Sequence, residues 1–203
     1  NPMEQLLLNI ELPTHKTFEN FIVGNNKECF NALKNFILPE NDIFFIYIWG
    51  DKGCGKSHLA ESIQNKNITI IEDIDQASQS KQIDIFNLYN DHKSAHKKLL
   101  VTGNNNPNKM MLRDDLASRL SWGLVYKLSL LSDIEKKQAL NKYSKDRGLN
   151  LKIEIIEYLL RYYKRDLHSL IATLDALDRW SLKTKRPITI PLLKEMNQEN
   201  LFK

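Results

Sequence analysis

The fold class of this chain is decided by Gly50-Asp51-Lys52-Gly53-Cys54-Gly55-Lys56-Ser57. The run matches in full the phosphate-loop pattern of a glycine, four variable residues and then Gly-Lys-Ser. Glycines let backbone N–H groups converge on phosphate oxygens, a lysine can reach the β- and γ-phosphates, and a serine hydroxyl suits Mg²⁺. An ordinary turn from a strand into a helix is the alternative, but such a turn does not require the whole pattern. The sequence therefore predicts a phosphate-binding loop.

Short apolar runs alternate with helical patterns on both sides of this loop. Candidate strands cover residues 44–49, 68–71, 99–102 and 124–128, and candidate helices begin near Asn25 and at Lys56, with a third around Phe86. Strands that alternate with helices are typical of a parallel sheet covered on both faces. The sequence therefore predicts an α/β domain.

The strand pattern stops after Leu131. Ser132 and Glu135 form a capping-box pattern, which predicts a helix that runs to about Gly148. Three more helical patterns follow, with the last one starting near Thr189 and Pro191. A small all-helical domain is therefore expected after the α/β domain.

Two acidic residues follow the second candidate strand. Glu72 and Asp73 stand where P-loop proteins need an acid to hold Mg²⁺ and a group to orient the attacking water. Solvated acids at the end of a strand are the alternative. His92 and His96 are spaced like two zinc ligands, but no cysteine or acidic partner completes a site, so solvated surface histidines are expected.

Composition restricts the function classes only loosely. The chain has 29 basic and 25 acidic residues, a net charge of +4, which permits contact with nucleic acid without requiring it. Two cysteines, Cys29 and Cys54, offer no disulfide framework, and no apolar run reaches the length of a membrane span. A cytoplasmic protein is expected, with Cys54 as a small filler residue rather than a nucleophile.

Three further segments resemble motifs of AAA+ proteins of the DnaA family. Asn104, at the end of the third strand, resembles sensor 1, and residues 116–124 resemble the arginine-finger segment, which places the finger at Arg119. Residues 164–167, before a long helix, resemble sensor 2, with Arg165 reaching the phosphates from the lid. The resemblance implies an AAA+ P-loop domain followed by a helical lid.

Within that family the chain is most similar to the Hda branch of DnaA-related regulators. Residues 175–182 and 188–191 resemble the end of an Hda lid, and residues 18–24, with Ile22 and Val23, resemble the segment that lies against adenine. Gln5, Leu6, Leu8 and Ile10 resemble the Hda peptide that binds the DNA sliding clamp, although a frayed apolar tail is the alternative. The implied domains are a clamp-binding segment at 1–17, an AAA+ domain at 18–130 and a lid at 131–203.

The resemblance also implies ligands, partners and site residues. Bound ADP or ATP with Mg²⁺ is expected, and so are two partners, DnaA and the sliding clamp (the β subunit of DNA polymerase III), with DNA contacted only indirectly. The expected catalytic residues are Arg119, Asp73 and Asn104, and the expected metal ligands are Ser57 and Glu72. The expected nucleotide-binding residues are Ile22, Val23, Gly50, Gly53, Cys54, Gly55, Lys56, Ser57, His58 and Arg165.

The sequence departs from the family pattern at two points, and each departure leads to a prediction. Too few residues separate Lys56 from Glu72 for the usual additional strand and helix, so we expect a trimmed sheet that lacks one edge strand. The metal-binding acid of the family is commonly Asp, whereas this chain has the longer Glu72, so its own ATP hydrolysis is expected to be weak.

Two other functions fit parts of the pattern. A mechanical AAA+ ATPase, such as a helicase loader, would use its own ATP but gives no role to residues 5–10. A small-molecule kinase or GTPase needs no finger segment, and the guanine-recognition pattern fails at Met110 and Met111. The sequence leaves open whether ADP or ATP is the working ligand and whether the chain forms a homo-oligomer.

Overall fold

The computed structural model describes residues 16–64, 66–163 and 167–201, without the side chains of residues 168 and 198–201. The chain divides into two compact units. One spans His15–Leu130, and the other contains the chain from Leu131 onward.

The described residues of the first unit form a four-stranded parallel sheet in the order β2-β3-β1-β4. The strands are β1 (Phe45–Trp49), β2 (Thr69–Ile71), β3 (Leu99–Gly103) and β4 (Leu124–Lys127). All four predicted strands are confirmed to within one residue at each end. β1 lies between β3 and β4, with Phe45 opposite Leu99 and Ile46 opposite Leu124.

Helices cover both faces of this sheet. They are α1 (Lys27–Phe36), α2 (Lys56–Ile63), α3 (Gln79–Ala95) and α4 (Asp114–Trp122). Because side chains alternate along a strand, Ile46 and Ile48 of β1 pack in one apolar core and Phe45 and Tyr47 in the other. The first core contains residues of α1 and α2, and the second contains residues of α3 and α4. Burial on both faces explains the continuous apolar run of β1.

The connection between α2 and β2 is short. Only residues 64–68 separate the two elements, so no further strand and helix are inserted there. β2 is consequently an edge strand of the sheet, next to β3. The expected trimmed sheet is confirmed.

His92 corrects one expectation. Its side chain is 7% exposed rather than solvated, with Nε2 2.7 Å from Thr69 Oγ1 and Nδ1 2.9 Å from the Leu88 carbonyl oxygen. His92 therefore ties α3 to the edge strand β2. His96 is exposed at the end of α3, as expected. In the described part of the chain no cluster of three or more His, Cys, Asp or Glu side chains could hold a metal ion.

The second unit is helical throughout its described residues. Its helices are α5 (Asp133–Asp146), α6 (Ile153–Tyr162), α7 (Leu167–Thr184) and α8 (Ile190–Leu201). The predicted capping box is confirmed, since the Ser132 hydroxyl accepts from the Glu135 N–H and the Glu135 carboxylate accepts from the Ser132 N–H, both at 3.1 Å. Buried aliphatic side chains line the four helices: Leu140, Ile156, Leu159, Leu174, Leu177, Leu192 and Leu193. None of the helices described here is long and apolar enough to cross a membrane.

Candidate nucleotide site

The predicted phosphate loop lies between the end of β1 and the start of α2. Gly53 and Gly55 have φ angles of +87° and +106°, a region that favours glycine. A Cβ on Gly55 would lie 2.9 Å from Cε2 of Phe21, so this position also needs glycine for space. A Cβ on Gly53 would meet nothing within 4 Å, which leaves an open approach to the loop backbone.

Lys56 turns its side chain back over this loop. It is 7% exposed, and Nζ donates to the carbonyl oxygens of Gly50 at 2.5 Å and Asp51 at 3.2 Å. Cys54 Sγ lies 3.7 Å from the same ammonium, and burial raises the pKa of the Cys54 thiol, which favours its neutral form. A buried cation held only by neutral groups suits an anionic ligand, because a phosphate can take over from the carbonyls. The loop therefore fits a phosphate group.

An aromatic cluster borders α2 on the side of the segment expected to lie against adenine. The His58 ring lies 5.2 Å from the Phe21 ring, and His58 Nε2 is 2.8 Å from the Thr17 carbonyl oxygen. Phe21 also stacks on Phe30 at 5.5 Å. Ile22 and Val23 follow Phe21 and are half-buried. These contacts place the start of the segment beside the phosphate-loop helix.

The two predicted acids follow β2 at the carboxyl edge of the sheet. Glu72 and Asp73 are both exposed, and Asp73 has a φ of +53°. The Asp73 N–H donates to Thr102 Oγ1 of β3 at 3.3 Å. Strand spacing puts β2 about 10 Å from β1, with β3 between them. Glu72 thus lies at the same edge as Ser57, and hard oxygen donors from both residues suit Mg²⁺.

A third acid at this edge was not predicted from the sequence. Asp75 accepts from the Asn104 N–H at 2.6 Å and from the Asn105 side-chain amide at 3.1 Å. The buried Tyr47 hydroxyl donates to the Asn105 carbonyl oxygen at 2.7 Å, and burial, followed by the charge of Asp75, raises the pKa of Tyr47. The candidate sensor loop at Asn104 is therefore held from two sides. The Gly50 N–H, which donates to the Gly103 carbonyl oxygen at 3.2 Å, links this loop to the phosphate loop.

Arg119 lies apart from these groups. It belongs to α4, which covers the face of the sheet opposite α2. The sequence predicted a finger segment at this position but no helix. A Cβ on Gly123, directly after α4, would lie 2.8 Å from Cδ1 of Phe45 at the start of β1. From Phe45, the strand β1 runs about 16 Å to Gly50, the first residue of the phosphate loop. Arg119 thus lies near the end of the sheet remote from its own phosphate loop.

The helical spacing of Leu116 and Leu120, both buried, was the signal that could have predicted α4. Acidic side chains in its first turn, Asp114 and Asp115, are a second signal. Asp75 had no comparable signal, because its role depends on a loop almost thirty residues away in sequence. Five predicted site residues lie outside the described residues: Gln5, Leu6, Leu8, Ile10 and Arg165.

Comparison with known proteins finds a match for the second unit. Residues 133–196 match the family model described as the lid domain of Hda. The match covers most of the four-helix unit that follows the phosphate-loop unit. The second unit of this protein therefore resembles the lid domain of Hda. This agrees with the family expected from the sequence.

Solved structures share this fold over most of the chain. Domain III of the replication initiator DnaA from Thermotoga maritima has a TM-score of 0.71 and 20% identity, and the match covers 93% of this chain and 98% of that domain. AMPPCP-bound DnaA from Aquifex aeolicus has a TM-score of 0.66 and 20% identity, over 80% of this chain and 65% of that one. This chain thus spans slightly less than two thirds of that longer DnaA protein.

A more distant structure shares the architecture. The RuvB Holliday-junction branch-migration motor of Thermotoga maritima matches with a TM-score of 0.58 and 15% identity, over 96% of this chain and 73% of that one. At these identities the likeness establishes the fold, a parallel α/β unit of the AAA+ type followed by a helical lid. The expected fold class is confirmed.

Proposed function

We propose that this protein is a nucleotide-bound, cytoplasmic regulator that inactivates the replication initiator DnaA. It binds ADP or ATP with Mg²⁺, docks on the DNA sliding clamp, and presents Arg119 to ATP bound on DnaA. Hydrolysis of that ATP converts DnaA to its ADP form and prevents a second initiation. An arginine supplied by a neighbouring protein raises phosphoryl-transfer rates by about three to five orders of magnitude.

The placement of Arg119 is the observation that carries this proposal. Arg119 lies on the face of the sheet opposite α2 and near the end of β1 remote from Gly50. A guanidinium placed there is remote from the chain's own phosphates but available to a neighbouring molecule. The match of residues 133–196 to the lid domain of Hda supports the same assignment, because the resemblance of the sequence to Hda implies a regulator of DnaA.

Nucleotide binding is proposed from the phosphate loop. Lys56, already buried against the loop carbonyls, would exchange those contacts for phosphate oxygens, and Ser57 and Glu72 would hold Mg²⁺. Asp73 would orient a water, Asn104 would sense the γ-phosphate, and Arg165 would reach the phosphates from the lid. Because Glu72 is one methylene longer than the usual aspartate, we propose that the protein hydrolyses its own ATP slowly.

Clamp docking is proposed from residues 5–10. Gln5 would give directional hydrogen bonds in a surface pocket of the clamp, and Leu6, Leu8 and Ile10 would bury apolar area there, as an extended peptide. DNA would be contacted only through the clamp and DnaA.

The test is phosphate release from ATP-bound DnaA, measured with and without this protein and with and without clamp-loaded DNA. The proposal predicts fast release only when all three components are present. Equal release in the absence of this protein contradicts the proposal.

A mechanical ATPase is the second candidate function, favoured by the complete phosphate loop and the two acids after β2. It predicts rapid ATP turnover by the isolated protein and no dependence on DnaA.

A further inference from the structure

Arg119 is held by two aromatic rings rather than by an acid. Its Cζ lies 3.9 Å from the centroid of the Trp122 ring, one turn further along α4, and 5.5 Å from the Phe86 ring of α3. Trp122 is 59% exposed, and Lys93 Nζ lies 5.9 Å from the centroid of its ring. Two aromatic side chains and two cations thus form a surface cluster where α3 and α4 meet.

Within this cluster the positive charge of the Arg119 guanidinium is not neutralised by an acid. Among the described residues, no carboxylate lies within ion-pair distance of Arg119, and no acceptor takes a hydrogen bond from its side chain. Stacking on a ring uses the flat face of a guanidinium and leaves its five N–H donors directed outward in the plane. An ion pair with an acid would instead occupy those donors and cancel part of the charge.

We propose that Trp122 is the positioning residue for Arg119. Its exposed ring fixes the plane and direction of the guanidinium, so that the N–H donors face a phosphate carried by another molecule. The proposal rests on the proposed function, in which Arg119 acts on ATP bound by DnaA. It also gives a reason for an exposed tryptophan, which the core of the chain does not need.

The Trp122 ring affects the orientation of the Arg119 guanidinium more than the strength with which this protein binds its partner. A long, unrestrained arginine samples many rotamers, and a neighbouring phosphate must order it at the moment of reaction. A ring stacked one helical turn away restricts that motion beforehand. Loss of the ring should therefore lower the maximal rate of stimulated hydrolysis, while the concentration of this protein that gives half-maximal stimulation stays almost unchanged.

The test compares Trp122→Leu, Trp122→Phe, Lys93→Gln and Arg119→Ala in DnaA phosphate release on clamp-loaded DNA. Trp122→Leu keeps an apolar side chain without a π face and should lower the maximal rate about two- to fivefold, the effect of a lost cation–π contact at an exposed site. Trp122→Phe keeps an aromatic ring and should retain most of the parental maximal rate. Lys93→Gln removes the second cation near the Trp122 ring but keeps the contact of Arg119 with that ring, so it should behave like the parent.

Several outcomes separate the two proposals. If Arg119→Ala abolishes stimulation but Trp122→Leu has no effect, the positioning role is wrong and the proposed function stands. If Arg119→Ala has no effect, the proposed function itself fails. Equal losses in Trp122→Leu, Trp122→Phe and Lys93→Gln would assign the effect to surface charge or shape and overturn the positioning role.

Discussion

Single residues set the electrostatics of the phosphate loop. Lys56 is the buried cation of the loop, and its contacts are backbone carbonyls and a sulfur rather than carboxylates. A cation held by neutral groups in a partly buried loop attracts an anion more strongly than one already paired with an acid. The chain therefore keeps a positive charge available next to the open side of Gly53.

Replacement of this cation tests the site directly. Lys56→Ala removes a charge-assisted contact of about 1.5–3 kcal/mol, so ADP affinity measured by calorimetry should fall by roughly one to two decades. Lys52→Ala is the matched control, since Lys52 is an exposed lysine in the same loop. Unchanged affinity in Lys56→Ala, with the fold retained, would remove the phosphate-loop assignment.

Residue patterns predicted the local structure of this loop better than its contacts with other parts of the chain. Glycines and a lysine at fixed spacing specify a local structure, so the sequence alone was sufficient for Gly50 to Ser57. The stack of Arg119 on Trp122 and the hold of Asp75 on the Asn104 loop depend on packing between separate elements. His92 shows the same limit, because its burial follows from the position of Thr69 and not from its neighbours in sequence.

Among the helices and strands, α5 is the one whose start is most clearly indicated by the local sequence. Ser132 and Glu135 satisfy each other's backbone N–H groups at its first turn, which otherwise lacks partners within the helix. The capping box lies where the strand pattern of the sequence ends and the helical pattern begins. Short-range patterns of this kind predicted α5 from sequence, whereas α4, with nine residues and no side-chain cap, was not predicted.

The capping box gives a stability prediction. Ser132→Ala removes the hydroxyl acceptor of the Glu135 N–H and should lower the free energy of unfolding of the helical unit by about 1 kcal/mol. Denaturant unfolding followed by far-ultraviolet circular dichroism measures the change. Ser121→Ala is the control, because the exposed Ser121 hydroxyl donates to the Ala117 carbonyl within a helix and caps no end. A loss no larger than that of Ser121→Ala would show that the box does not stabilise α5.

At the scale of the whole molecule, the chain joins a trimmed AAA+ sheet to a helical lid. The trimming was predictable because the length of the α2 to β2 connection is fixed by the sequence, and a strand with its helix needs more residues than are present. The strand order β2-β3-β1-β4 was not predicted, since alternating strands and helices allow several parallel sheets. The proposed role in regulating DnaA depends on surfaces that face other molecules, and local patterns do not specify those surfaces.

The amino-terminal segment should act independently of the folded units. Deletion of residues 3–9 is expected to abolish binding to the sliding clamp while the melting temperature and ADP affinity stay unchanged, because terminal segments rarely support a core. Surface plasmon resonance on immobilised clamp measures the loss. Glu4→Ala should bind normally, whereas Gln5→Ala and Leu8→Ala should bind weakly. Clamp binding that survives the deletion would place the docking surface elsewhere.

The most direct test of the account is a pair of measurements on Arg119→Ala. Because Arg119 lies remote from its own phosphate loop, the variant should bind ADP within about twofold of the parent, a difference below half a kcal/mol. It should nevertheless lose the stimulated phosphate release from DnaA on clamp-loaded DNA, and Arg119→Lys should recover little, because an ammonium lacks the planar fork. Stimulation of DnaA by Arg119→Ala at the parental rate would contradict the account, and so would a loss of ADP affinity as large as that of Lys56→Ala.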